Sequence, residues 1–199
     1  AIWPAQVAGY ALGILAVFFV IFWKSRSGKT VSGVLALFWI WIGVFYHIAH
    51  FSAINQAAFI FGVLFIIQGA LFLGMAIRHP GLSFKVDRTG ASLIGVIFVI
   101  YSMLVYSLIG ISAGHSLSSS PIFAVAPCPT VIFTFGILLW SEKPVPAWLL
   151  VIPLLWSIIG TGAAISLQVP QDYGLGIAGV LGTFLILAKN RRLRKTGSD

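Results

Sequence analysis

Water-soluble surface is what this chain is short of. Charged residues make up 8% of its 199 positions, against roughly 25% in a soluble domain, which is too few to cover a globule facing solvent. The four acidic residues are Asp87, Glu142, Asp172 and Asp199, and no Lys, Arg, Asp or Glu falls inside any long apolar run, Lys189 lying at the edge of the last. A retinal protein needs a mid-helix lysine, and voltage sensors and most proton pumps need intramembrane charge, so these classes are set aside. Cys128 is the single cysteine, which rules out a disulfide within the chain. No phosphate-binding loop, Gly-x-Ser-x-Gly or His-Glu-x-x-His motif is present. The loops and the tail are too short to hold a soluble catalytic domain, so the chain does not read as an enzyme.

What is present is apolar length. Hydrophobic residues make up 59% of the chain, and seven apolar runs can be drawn at 4–23, 31–50, 54–77, 91–112, 121–140, 146–167 and 174–189. A bilayer span needs roughly 20 such residues. Runs without strict alternation exclude a barrel, and in lipid the remaining way to satisfy the backbone is the helix. The fold class predicted is all-α: an integral membrane bundle of seven transmembrane helices over residues 1–189, followed by a basic cytoplasmic tail at 190–199. Residues 1–23 lack the basic start of a signal peptide and read as a span. The start at Ala1, in place of Met, fits a processed or partial chain.

The cations fix the threading. All 12 Lys and Arg residues lie in Lys24–Lys29, Arg78–Arg88, Glu142–Lys143 and Lys189–Lys195, that is, in alternate loops and the tail. The positive-inside rule then places the N-terminus outside and the C-terminus in the cytoplasm. The net charge of +8 is distributed for a membrane face and not for nucleic acid; anionic lipids at the cytoplasmic side are the expected partner. Trp3, Trp23, Trp140, Trp148 and Tyr173 fall near predicted helix ends, as an interfacial aromatic belt does. Pro4 and Pro121 suit the first turn of a helix, and Ser118–Ser120 offer N-caps. The Gly9/Gly13 and Ala178/Gly182 pairs predict close helix approach, Gln68 an interhelical hydrogen bond, and Trp39, Trp41 and Trp156 plain packing.

Chemistry, if any, belongs to the outer third of the membrane. The fifth run contains Ala126-Pro127-Cys128-Pro129-Thr130, where two prolines inside a helix would free the carbonyls of Phe123 and Val125. Such a break is tolerated only inside protein or beside a water-filled cavity. His47, with His50 one turn above it, lies near the outer end of the second run, and Ser107, Tyr106 and Thr161 reach comparable depth. Asn55 and Gln56 open the third run, His115 and Asp172 fall in outer loops, and His79 lies in a cytoplasmic loop. Imidazole and thiolate ligands suit zinc or copper, so His47, His50 and Cys128 form a candidate metal set. Ser107, Thr161, Asn55, Pro127 and Pro129 complete a polar pocket. Against this stand plainer roles: Cys128 as a small hydrophobe, and His47 bonded to a nearby carbonyl.

Trp3-Pro4-Ala5-Gln6, Tyr46-His47 with Ile54-Asn55, Ala126-Pro127-Cys128-Pro129-Thr130 and Ile152-Pro153-Leu154-Leu155-Trp156, taken in order, resemble an uncharacterised family of bacterial polytopic membrane proteins, described as a domain of unknown function. The resemblance implies an inner-membrane location and further chain before Ala1, and brings no activity with it. The leading expectation is transport or permeation of a small solute or metal ion through the outer polar site. The alternatives are a non-catalytic subunit held by membrane-protein partners, and a haem or pigment carrier with His47 as axial ligand. The cofactor is therefore a transition metal ion, a haem or none.

Overall fold

The computed structural model describes residues 3–77, 81–112 and 122–196. Within them the chain is helical, and its only sheet-like pairing is an isolated bridge between Phe84 and Ser141. The helices are α1 (Trp3–Phe22), α2 (Lys24–Trp41), α3 (Ala58–Ile77), α4 (Gly90–Ile100), α5 (Tyr106–Ser112), α6 (Pro127–Leu139), α7 (Val151–Leu167) and α8 (Tyr173–Thr196). Two of these rods change pitch: α2 runs on as a π-helix over Ile42–His50, and Tyr101–Val105 forms a π-helical join between α4 and α5. Such wider turns often occur at functional sites.

Seven spanning helices were expected, and among the described residues six are long and apolar enough to cross a membrane. The fifth run differs. Helix α6 has 13 residues, about 20 Å of helix, roughly 10 Å less than the hydrocarbon layer. Every one of its residues is buried, so the other helices wrap it, as expected for a broken helix. The protein is a helical, multi-pass membrane protein with a short, wholly buried helix at its centre.

The cationic segments meet at one end of the bundle, as their alternation predicted. Lys24 pairs with Glu142 at 2.7 Å. Ser27 Oγ donates to the Phe84 carbonyl and accepts from the Phe84 amide. The Lys85 amide donates to the Trp140 carbonyl and the Glu142 amide to the Ser83 carbonyl, both at 2.8 Å. Asn190 exchanges two hydrogen bonds with the backbone of Val145. Lys189 Nζ donates to the Leu139 carbonyl at 2.9 Å, setting a cation at the negative end of α6. Loops that a hydropathy profile treats as independent are thus tied together.

At the same end, Thr89 caps α4 by accepting from the Ser92 amide, while the Thr89 hydroxyl donates to Asp87. Partial burial raises the Asp87 pKa, but the Thr89 hydroxyl and amide, Lys189 and Ser92 together hold it below the usual value. A depressed carboxyl pKa stabilises the folded state above the unfolded-state value, and that contribution is lost as pH falls through the folded one. Thr89→Ala should cost about 1 kcal/mol, the usual worth of an N-cap, and weaken this acid sensitivity. Thermal unfolding in detergent at neutral and acid pH would show both.

Close approach follows the small residues, though not always between helices. A side-chain carbon at Gly9 would lie 2.5 Å from Ala124 Cβ, and one at Gly13 would lie 2.5 Å from the Phe123 ring. Those glycines therefore admit the non-helical stretch before α6. One at Gly182 would lie 2.9 Å from Phe135 of α6, a helix pair as anticipated. Gln68 Nε2 donates to the Leu149 carbonyl at 3.1 Å, which is the interhelical bond expected of it. Trp39 does more than pack, since its indole N–H donates to Thr134 at 3.0 Å. Pro121 and Ser118–Ser120 lie outside the described residues.

Candidate functional site

The site is built on the start of α6. Prolines inside the fifth helix were expected to break it partway; instead the helix begins at them, with Pro127 at its first position and Ala126 as the flanking extended residue. In the first turn a missing N–H leaves no helical bond unmade, so the two prolines set the boundary and do not kink the helix. Upstream, Ile122–Ala126 is a buried turn in which Ala124 adopts φ 65°, a strained value for a residue other than glycine. Thr130 Oγ1 accepts from the Ala124 amide at 3.2 Å and donates to the Ala126 carbonyl at 2.9 Å. The turn is held by the helix it starts.

Cys128, the second residue of α6, is buried and lies near the Asp172 carboxylate and the Trp156 indole N–H, which makes no hydrogen bond among the described residues. Tyr106 donates its hydroxyl to the same carboxylate. Beside them Tyr101 donates to the Gln171 carbonyl at 2.8 Å, and Gln171 Oε1 is buried without a partner. Asp172 had been assigned to an outer loop. It lies in a short 3-10 turn, Pro170–Asp172, that begins the last helix and brings the acid against Tyr106. The last span therefore opens at Pro170, before the expected 174, and the signal was Pro170 itself, a residue suited to a helix start. The carboxylate sits where α6 points its positive end, the favourable place for an anion.

His47 lies one ring away. Its imidazole is fully buried, 5.0 Å from the Trp156 ring and 4.7 Å from that of Phe65, with Tyr46, Phe51 and Phe61 completing the surround. Neither ring nitrogen has a hydrogen-bond partner, so the carbonyl expected to satisfy it is not there. An unpaired buried polar group costs on the order of 1–3 kcal/mol, a cost that a folding role alone does not account for. On the bundle exterior a cleft of about 620 Å³ is lined by Pro4, Ala5, Trp41, Phe45, Tyr46, His50 and Val125. Tyr46 lines that cleft and packs edge-on against the His47 ring at 5.1 Å.

The remaining predicted site residues scatter. His50 is exposed, and its Nδ1 lies 2.7 Å from the Phe45 carbonyl. Ser107 pairs with Tyr10 of α1 at 3.2 Å, Thr161 donates to the Ser157 carbonyl, and Asn55 accepts from the Ala57 amide at the head of α3. His115 and His79 lie outside the described residues. Among the described residues no three His, Cys, Asp or Glu side chains come together as a metal group, so the set of His47, His50 and Cys128 is not assembled. A haem fits no better: the rings packed around His47 occupy the space a macrocycle would need.

Comparison with known families turns up a match to residues 1–196, almost the whole chain. The chain belongs to DUF6064, a family of unknown function. No curated protein matches it, and neither does any solved structure. The site of this DUF6064 chain thus has to be read from its own geometry.

Proposed function

We propose that the protein moves a small cation, or a solute carried with a proton, across the membrane through the cluster at the start of α6. The observation behind this reading is the part-buried Asp172 carboxylate, which takes the Tyr106 hydroxyl and lies near the Cys128 thiol. An acid drawn into a helical bundle, with no cation paired to it among the described residues, is costly and marks an ion or proton pathway by default. A helix that ends partway through the membrane gives such a site its wall, as discontinuous helices do in transporters. The cation enters the outer cleft, passes Tyr46 and meets Asp172; His47, unpartnered and one ring away, accepts or returns a proton. With the cationic loops in the cytoplasm, as the positive-inside rule has them, the cleft faces the outside.

Proteoliposomes carrying a pH dye or a cation-sensitive dye test this. The wild-type protein should dissipate an imposed proton, alkali-ion, ammonium or divalent-metal gradient faster than empty vesicles. Tyr46→Ala should raise the leak by opening the cleft beside the His47 ring. Flux equal to empty vesicles for all four gradients would refute the reading.

A further inference from the structure

Beside the bundle, α1 packs on α2 and leaves a long slot towards α4. Two clefts, about 450 and 400 Å³, share Val17, Ile21, Val99 and Ile100 and so form one continuous groove. Its walls are almost wholly apolar. At one end Tyr10 closes it, donating to the Met103 carbonyl at 2.8 Å and pairing with Ser107. At the other end, the cationic face, Lys24 and Lys85 line the mouth together with Trp140. The mouth is lined by two cations, of which Lys24 pairs with Glu142 at 2.7 Å. The Lys85 amide is fixed to the Trp140 carbonyl at 2.8 Å, which anchors the backbone that carries the lysine at the rim. From Lys24 to Tyr10 the groove follows α1 for about 20 Å, enough to cover one leaflet's roughly 15 Å of hydrocarbon.

A slot that is apolar along a leaflet and cationic at the headgroup level matches one kind of molecule in its surroundings. We propose that the α1–α4 groove binds one anionic diacyl phospholipid, an acyl chain lying against Val17, Ile21, Val99 and Ile100 and its phosphate beside Lys24 and Lys85. Basic pockets between membrane helices hold acidic headgroups in this way. The site is separate from the cluster at the start of α6.

The test uses the full chain, stripped of lipid in mild detergent and offered equal phosphatidylglycerol and phosphatidylcholine, with retained lipid counted by native mass spectrometry. The wild-type chain should keep one phosphatidylglycerol in preference to phosphatidylcholine. Lys85→Gln, which touches no helix contact, should cut that preference about fivefold, the worth of one lysine near an anionic surface. Ile100→Trp, which fills the groove from an exposed wall, should release the lipid whatever its headgroup. Equal retention of both lipids by the wild-type chain overturns the proposal, as does a preference unchanged in both variants. Exclusion of both lipids by a co-purifying partner helix overturns it too.

Discussion

Asp172→Asn should lower cation flux in proteoliposomes by about ten- to hundredfold, because the passing cation loses a charged partner whose contact is worth about 1.5–3 kcal/mol. The substitution keeps the shape of the side chain and removes only its charge. Tyr106 can still donate to the amide oxygen, so the start of α8 stays docked and the protein should elute and melt like the wild type. Tyr106→Phe should be milder in flux, since the carboxylate persists and loses one of its donors. The two readouts separate pathway from scaffold. A fall in melting temperature with flux unchanged would make the Asp172–Tyr106–Cys128 contact a structural clasp and nothing more. Flux and stability both at wild-type level would remove the cluster from any role.

Gly62→Leu should all but abolish folded protein. A first side-chain carbon there would lie 2.5 Å from Ile48 Cγ1 and 2.9 Å from the Gly43 carbonyl oxygen, and the second of these is backbone that cannot swing aside. The opposing Gly43 is just as tight, its own added carbon lying 2.8 Å from the Gly62 carbonyl oxygen. A leucine would drive α2 and α3 apart, at a cost of about 3 kcal/mol or more, on the π-helical stretch that carries His47. Gly74→Leu is the matched control, since nothing lies within 4 Å of a carbon added there. Size-exclusion profiles in detergent should show the control monodisperse and the Gly62 variant aggregated or absent. Equal profiles would mean that the α2–α3 contact is looser than the structure has it.

The membrane-spanning character of the chain and the gathering of its cationic loops were legible in the sequence because they depend on segment-level quantities. Burying an apolar run and keeping Lys24, Lys85, Lys143 and Lys189 out of hydrocarbon are decided by composition within each run. The four cationic segments do gather at one end, where Lys24 meets Glu142 and Lys189 meets the end of α6. The burial of the fifth helix was legible too, because two prolines announce a backbone that lipid cannot tolerate. Their place in the helix was misjudged: the same residues that break an interior begin a first turn, and the choice depended on the turn at Ala124 that Gly9 and Gly13 make room for.

The membership of the site was not legible. Asp172 and Tyr106 stand 66 residues apart, and their meeting depends on how far each helix is rotated and tilted, which packing against neighbours sets. The histidines at 47 and 50 look alike in sequence, yet the π-helical turns carry one into a shell of aromatic rings and leave the other at the surface. Local chemistry therefore determined that this chain lives in a membrane, and which end of it is cationic. Tertiary packing alone decided that an acid, a thiol and two tyrosines share its interior.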